Sequence, residues 1–237
     1  MGIGYIECVI PAIIGDFIVT LAQKTQTNQS SLDQEIRTLL ARSRPHKIVE
    51  TGTHLGLGST LTICESLAEN GLAENQFYSI EVNPNFYAQA WTNLGQRGFH
   101  PRLLRGLSIP RSLLPSEADL RRETGEHAGA AAEVTPEARV AAYQQETHFP
   151  EALDDLLGFV LRNMAPDFMM LDSAAHLGFI EFQYAIALLK APCYLALNGV
   201  FHAKHARSLA VLESDARFKL LVVSRENSGW CLAHFKP

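Results

Sequence analysis

A glycine-rich segment at residues 50–60 carries the strongest chemical signal in this sequence. Its glycines at positions 52, 56 and 58 follow a short apolar run and precede a helical pattern. Glycines let the backbone turn sharply, and the start of the next helix offers unpaired N–H groups. The segment lacks both the Lys-Ser/Thr pair of a phosphate loop and the G-x-G-x-x-G spacing of a dinucleotide site. Glu50 would repel a pyrophosphate and attract a cationic group, such as the ammonium of an amino acid.

Two further acidic residues end strand-like runs. Glu81 closes the run at 77–82, and Asp172 closes the run at 167–172. The carboxyl ends of parallel strands meet at one edge of a sheet, where ligands of such folds bind. A carboxylate in the position of Glu81 can accept hydrogen bonds from both hydroxyls of a ribose. Asp172 has the alternative role of capping the loop that follows it.

Three histidines follow the later strands and are candidates for a general base: His176, His202 and His205. Histidine titrates near neutral pH and is the usual side chain for removing a proton from a hydroxyl. Residues 201–207 also form a basic run that could hold an anionic or polyhydroxyl substrate. Each histidine taken singly is equally compatible with a capping or surface role.

The elements that must position these residues alternate between strand and helix patterns. Strand-like runs occur at 47–50, 77–82, 102–105, 167–172, 193–197, 218–223 and 230–235, and helical patterns at 32–40, 59–68, 85–94, 152–164, 179–189 and 205–213. Such alternation predicts an α/β fold with a mostly parallel, doubly wound, Rossmann-like sheet. The last two strands form a hairpin, which adds an antiparallel strand. We expect one domain over residues 1–237 with an N-terminal helical extension at 1–44, in which Ser31 caps a helix.

The net charge of −5 is unevenly distributed. Residues 116–148 hold seven acidic and three basic residues, a local charge of −4, together with eight alanines. This acidic, alanine-rich insertion shows no strand pattern, and long connections of this kind often act as lids. We predict a helical lid over the site, with a solvated insertion as the alternative. An acidic chain with a pI near 6.0 also argues against nucleic acid as a partner.

The cysteines and the N-terminus bear on location. The four cysteines are widely spaced and form no C-x-x-C pair, which favours reduced thiols in the cytoplasm. The apolar stretch at 9–21 contains Pro11 and Asp16 and lacks a basic leader, so neither a signal peptide nor a membrane span is predicted. A buried helix or a homodimer contact through the N-terminal helices is the expectation for this stretch.

The segment at 50–60, together with Ser79-Ile80-Glu81-Val82-Asn83-Pro84, resembles the class I S-adenosylmethionine-dependent methyltransferases. The nearest type is that of the catechol and caffeoyl-CoA O-methyltransferases, and the resemblance extends over roughly residues 45–235. It implies a seven-stranded sheet of order 3-2-1-4-5-7-6 with the last strand antiparallel. It also implies S-adenosylmethionine as cofactor, with a binding set of Glu50, Gly52, Thr53, His54, Gly56, Ser59, Thr60, Glu81, Val82, Asn83, Leu107, Ser108, Asp172 and Ser173.

One departure from this type concerns the metal. The catechol type holds a divalent cation with an Asp after strand four and an Asp-Asn pair after strand five. Asp172 matches the first position, but the later pair reads Asn198-Gly199, and glycine offers no ligand. We therefore predict O-methylation of a small-molecule hydroxyl without an obligatory metal. A non-catalytic cofactor-binding or interaction module is the alternative, and a nicotinamide-dependent oxidoreductase is a weaker one.

Overall fold

A computed structural model describes residues 30–72, 76–122, 135–173 and 176–237. Most of the predicted N-terminal extension, including the stretch proposed as a dimer contact, lies outside these residues. The described helices are α1 (Ser31–Ser43), α2 (Ser59–Glu69), α3 (Pro84–Gly95), α4 (Glu117–Arg122), α5 (Pro136–Thr147), α6 (Leu156–Asn163), α7 (Gly178–Leu188) and α8 (Ala206–Ser214). The strands are β1 (Ile48–Thr51), β2 (Phe77–Glu81), β3 (Arg102–Arg105), β4 (Phe168–Leu171), β5 (Cys193–Asn198), β6 (Phe218–Ser224) and β7 (Trp230–Phe235).

These strands form one sheet in the order β3-β2-β1-β4-β5-β7-β6. The pairs from β3 to β5 are parallel, whereas β7 runs antiparallel to both of its neighbours. The predicted fold, strand order and antiparallel last strand are therefore confirmed. The order reverses between β1 and β4, and the carboxyl ends of these two strands are the switch point where such sheets bind ligands.

The first described helix begins one residue earlier than predicted. Ser30, rather than Ser31, is the N-cap, because its hydroxyl accepts a hydrogen bond from the Asp33 N–H and the Asp33 carboxylate accepts one from the Ser30 N–H. Ser31 instead faces the far end of the chain: its N–H donates to Glu226, and its hydroxyl accepts from Trp230 Nε1 at 3.1 Å. The helix α1 is thereby attached to the β6–β7 hairpin.

The sheet is covered on both faces, so β1 and β4 are completely buried. Alternate strand residues point to opposite faces. One face, which includes Val49 and Met169, packs against α6, α7 and α8. The other, which includes Ile48 and Met170, packs against α1, α2 and α3. This double cover fixes the height of the strand ends and therefore the positions of the loops that follow them.

The described part of the 116–148 insertion is helical. Leu120 of α4 and Val140 and Tyr143 of α5 are buried in a small cluster with Ile109 and Leu177. This apolar contact holds the insertion beside the loop after β4. The helix predicted from residue 152 begins only at Leu156, after Asp155 adopts a left-handed conformation with φ of 56°. In the described ranges, no helix is long and apolar enough to cross a bilayer.

Candidate active site

A cavity of about 1000 Å³ opens at the carboxyl ends of β1, β2 and β4, beside the switch point. Eleven of the fourteen predicted cofactor-binding residues line it: Gly52, Thr53, His54, Ser59, Glu81, Val82, Asn83, Leu107, Ser108, Asp172 and Ser173. Residues far apart in sequence therefore converge on one space. The cofactor assignment of these individual residues stays a prediction, now with a cavity of suitable position to receive the ligand.

Gly52 permits the closest approach in the site. Its φ is +83°, and a Cβ added there would lie 2.2 Å from the backbone oxygen of Asp172. A side chain at this position would force the loops after β1 and β4 apart. The glycine in the first loop is thus required by the neighbouring strand as well as by any ligand.

Glu81 holds the first loop against the second strand. Its Oε2 accepts a hydrogen bond from the His54 N–H at 2.7 Å, and its Oε1 accepts one from the Asn83 N–H at 2.8 Å. Burial raises the pKa of Glu81, and these two N–H groups partly oppose that rise. A carboxylate has about four acceptor positions, so Glu81 retains capacity for hydroxyls of a ligand.

Glu50 does not line the cavity, contrary to its predicted contact with the cofactor. It is fully buried, and its oxygens accept hydrogen bonds from Ser59, Thr60 and Ser79 at 2.5–2.6 Å. Ser79 reaches it because residues 50 and 79 are in register on adjacent parallel strands. Burial raises the pKa of Glu50 to about 7, against the effect of these hydroxyls. Glu50 therefore lies behind the cavity lining, where it holds the lining residue Ser59 by a hydrogen bond.

Two more predicted binding residues have structural roles. A Cβ at Gly56 would lie 3.1 Å from side-chain atoms of Ala90 and Leu94, so this glycine allows the loop to pack on α3. The Thr60 hydroxyl donates to Glu50 and does not face the cavity. Both residues therefore support the loop after β1 and do not face the cavity.

A second buried glutamate lies on the opposite face of β1. Glu181 of α7 is 0% exposed, and its Oε2 accepts hydrogen bonds from Thr51 and Ser173, each at 2.8 Å. Burial raises the pKa of Glu181. Thr51 and Ser173 line the cavity, so this carboxyl group supports its floor.

Asp172 ends β4 and is held by a cation from this same chain. Its Oδ1 accepts a hydrogen bond from the Lys204 ammonium, and its Oδ2 accepts one from Asn198 Nδ2 at 3.1 Å. The predicted basic run therefore contributes Lys204 to an ion pair with the lining residue Asp172, a contact that the sequence pattern did not predict.

The three candidate histidines do not line the cavity. His205 is completely buried, with Nδ1 3.0 Å from Ser208 Oγ, and burial lowers its pKa to about 3. His202 is exposed in the turn before α8. Neither position supports the prediction that His202 or His205 supplies the base, and that role stays a prediction. His176 is half-buried and its ring meets the Tyr143 ring of α5 edge-on, with centroids 6.3 Å apart, so its role stays a prediction.

Other lining residues were missed, and some had a sequence signal. Phe86, Gln89 and Asn93 share one face of α3, since their spacing of three and four residues follows the helical period. Gln145, Glu146 and Phe149 come from α5 and the segment after it, so the 116–148 insertion reaches the cavity. The contact of the insertion with the cavity could not be predicted from a local pattern, because it depends on how α5 packs against the rest of the domain.

The donor set beside Asp172 does not fit a divalent metal. Asp172 is the one carboxylate of this set, position 199 is glycine, and the side chain of Asn198 presents its amide nitrogen to Asp172. Across the described ranges, no three His, Cys, Asp or Glu side chains are grouped as metal ligands would be. A hard divalent cation requires several oxygen ligands, and here an ammonium already holds the carboxylate.

The same architecture occurs in solved structures of methyltransferases. The chain is similar to a Staphylococcus aureus protein provisionally named a caffeoyl-CoA O-methyltransferase, with a TM-score of 0.56 at 11% identity over 95% of this chain and 93% of that one. It is similar to a Bacillus cereus O-methyltransferase solved with S-adenosylhomocysteine, with a TM-score of 0.54 at 14% identity over 98% and 94% of the chains. The chain has the class I methyltransferase fold.

A third methyltransferase of this fold is TomG from Streptomyces achromogenes, which is involved in tomaymycin synthesis and was solved with S-adenosylmethionine. It aligns with a TM-score of 0.52 at 12% identity over 89% of this chain and 82% of its own. No family model and no curated protein matches the sequence. The likeness to these methyltransferases is therefore one of fold, at low sequence identity.

Proposed function

We propose that this protein transfers the methyl group of S-adenosylmethionine to a hydroxyl oxygen of a small molecule. The observation that carries the proposal is the charge of the cavity wall. Among the lining residues that the structure describes, three are carboxylic (Glu81, Glu146 and Asp172) and none is Lys or Arg. S-Adenosylmethionine carries a sulfonium and an ammonium, whereas a nicotinamide dinucleotide carries a pyrophosphate, so this wall favours the former.

The lining residues fit the parts of this cofactor. Glu81 would accept hydrogen bonds from the ribose hydroxyls, with Val82 and Asn83 beside the adenosine and Leu107 and Ser108 near the adenine. Gly52 and Thr53 would lie against the methionine part. Similar structures solved with S-adenosylmethionine or S-adenosylhomocysteine support the choice of cofactor.

The proposal also gives the helices of the 116–148 insertion a role, which is to cover the site. Gln145, Glu146 and Phe149 already border the cavity. A cover that excludes water strengthens charge interactions with the sulfonium and aligns the acceptor oxygen with the methyl group. The bound cofactor supplies the electrophilic methyl carbon, and the chain supplies alignment and exclusion of water.

Calorimetric titration tests the cofactor, and methyl transfer from labelled S-adenosylmethionine to a panel of phenols, alcohols and carboxylates tests the reaction. We expect a Kd for S-adenosylmethionine of about 10 μM and no measurable binding of NAD. Binding of NAD alone would support the oxidoreductase alternative. Binding of S-adenosylmethionine without transfer to any acceptor class would support a non-catalytic module.

A further inference from the structure

Ser173 and Glu181 place a buried carboxyl group one hydrogen bond behind the cavity lining. Ser173 lines the cavity directly after Asp172, and its hydroxyl donates to Glu181 Oε2 at 2.8 Å. Glu181, on α7, is 0% exposed, and the hydrogen bonds to its Oε2 come from neutral hydroxyls. Burial disfavours the charged form of a carboxyl group, so such a group takes up a proton more readily than one at the surface.

The two hydroxyls that donate to Glu181 differ in their remaining contacts. The hydroxyl of Thr51, a residue 0% exposed, accepts a hydrogen bond from the Asp172 N–H at 3.4 Å. Ser173 is half-buried, and its oxygen accepts no hydrogen bond from the residues that the structure describes. A hydroxyl oxygen has two acceptor lone pairs. Ser173 can therefore accept a hydrogen bond from a hydroxyl in the cavity while its own proton points inward at Glu181.

The charges around Glu181 also allow it to exchange a proton. Burial raises its pKa, whereas the hydroxyls of neighbouring lining residues and the charge of Lys204 lower it. The Lys204 ammonium is paired with Asp172, and His205, whose ring lies beside the start of α7, is neutral above a pH of about 3. A carboxyl group in these surroundings is suited to act as a base.

We propose that Ser173 passes the proton of the acceptor hydroxyl to Glu181, so that a carboxylate buried behind the cavity lining is the base of the methyl transfer. This inference rests on the proposed methyltransferase function and adds to it the two residues that remove the proton. It gives the site a base although none of the three candidate histidines is among the described lining residues.

The proton transfer balances within the site. The O–H bond of the acceptor breaks as Ser173 Oγ takes its proton, and Ser173 gives its own proton to Glu181 Oε2. The acceptor oxygen keeps the electron pair of that bond and bonds to the methyl carbon, while the carbon–sulfur bond of bound S-adenosylmethionine breaks and leaves its pair on sulfur. Glu181 ends the step as a neutral carboxyl group, and it returns the proton through Ser173 to solvent after the methyl ether leaves.

Matched variants at the two hydroxyls test this relay, because Thr51→Val and Ser173→Ala each remove one hydrogen bond to Glu181. Phenol and 4-nitrophenol serve as acceptor probes that differ in the acidity of the hydroxyl. We expect Ser173→Ala and Glu181→Gln each to lower kcat toward phenol about 100-fold, but only about threefold toward 4-nitrophenol, which ionises near neutral pH without help. Thr51→Val should preserve the wild-type ratio of the two rates. Ser173→Thr keeps a hydroxyl and should retain most of the rate.

The pH profile separates proton transfer from a structural role. The kcat of wild type toward phenol should rise with pH as Glu181 ionises, and Glu181→Gln should lose that dependence. The double variant of Ser173→Ala with Glu181→Gln should be no slower than either single variant, since a relay acts as one unit. Equal losses toward both probes, or the same change of ratio in Thr51→Val, would overturn the proposal.

Infrared difference spectra add a measurement that needs no turnover. With S-adenosylhomocysteine bound, wild type should show at low pH a C=O band of a protonated carboxyl group that Glu181→Gln lacks. This band should fade as the pH is raised to that of the assays. A band that persists there would overturn the proposal, because a carboxyl group that keeps its proton cannot accept another. Failure of wild type to bind S-adenosylhomocysteine would instead refute the proposed function itself.

Discussion

Two carboxylates at neighbouring strand ends are held in opposite ways. Glu50, near the end of β1, accepts hydrogen bonds from the hydroxyls of Ser59, Thr60 and Ser79, and burial raises its pKa to about 7. Asp172, after β4, receives the ammonium of Lys204. The chain therefore pairs Asp172 with a cation of its own, behind the cavity wall, whereas Glu50 is held by hydroxyl groups.

The cavity has two ends, one beside Glu81 and one beside Asp172. Under the proposed function, a cationic cofactor is favoured beside Glu81, where the carboxyl groups of the lining are not matched by a lining Lys or Arg. The acceptor would then lie at the end beside Asp172. The following predictions test the separation of these ends, from the largest expected effect to the smallest.

Gly52→Ala should disrupt the junction between the two ends. The added Cβ would lie 2.2 Å from the Asp172 backbone oxygen, at a φ of +83°. We expect a loss of about 3 kcal/mol in the free energy of unfolding and loss of cofactor binding. Chemical denaturation and calorimetry measure both.

The matched control is Gly98→Ala. Gly98 also has a positive φ, of +78°, but a Cβ there would meet no atom within 4 Å. This change should cost only about 1 kcal/mol, from backbone strain alone. Equal losses in the two variants would show that contact with the Asp172 loop contributes nothing.

Glu50→Gln should flatten the pH dependence of stability. The raised pKa means that folded Glu50 keeps its proton longer than the unfolded chain does. Its stabilising contribution is therefore complete below pH 4.5 and is lost as the pH rises through about 7. Relative to the variant, wild type should lose about 3 kcal/mol across this window.

Urea denaturation of both proteins at a series of pH values measures this difference. Glu213→Gln, at an exposed position on α8, is the control and should follow the wild-type profile. A wild-type profile parallel to that of Glu50→Gln would mean that the hydroxyls fully compensate for burial of the charge.

Glu81→Gln should weaken the cofactor end without affecting the acceptor end. Glutamine has one acceptor oxygen, so it leaves the N–H of either His54 or Asn83 without its present partner. We expect about a 30-fold loss of affinity for S-adenosylmethionine, equivalent to about 2 kcal/mol. Calorimetry measures the Kd. A Kd equal to that of wild type would show that Glu81 does not bind the ribose hydroxyls.

Phe149→Ala tests whether the segment that ends the insertion contacts the acceptor. Phe149 borders the cavity from the segment after α5. We expect the KM for the acceptor to rise about fivefold, with little change in cofactor affinity, since a partly buried aromatic contact contributes about 1 kcal/mol. Phe159→Ala, at a residue 58% exposed on α6, is the control. A selective loss of cofactor affinity would place the insertion over the cofactor end instead.

The predictable part of this molecule is the part specified by local pattern. The apolar runs identified the seven strands, and the glycine-rich segment with Glu81 identified part of the cavity lining, because a turn, a strand end and a helix start are local features. The contact between Ser79 and Glu50 needs the strand register, which no single segment encodes. The burial of His205 and the approach of Lys204 to Asp172 depend on the turn before α8 and on space left by Gly178.

The attachment of α1 to the β6–β7 hairpin has a consequence for the order of folding. Ser31 reaches its partners Glu226 and Trp230 only when nearly two hundred intervening residues have been synthesised. The helix can pack on α2 and on the sheet face earlier, but its contact with the hairpin forms only after the last-synthesised strands are in place. Pulse-labelling hydrogen exchange during refolding should detect protection of α1 together with β7, after β1 and β4 are already protected.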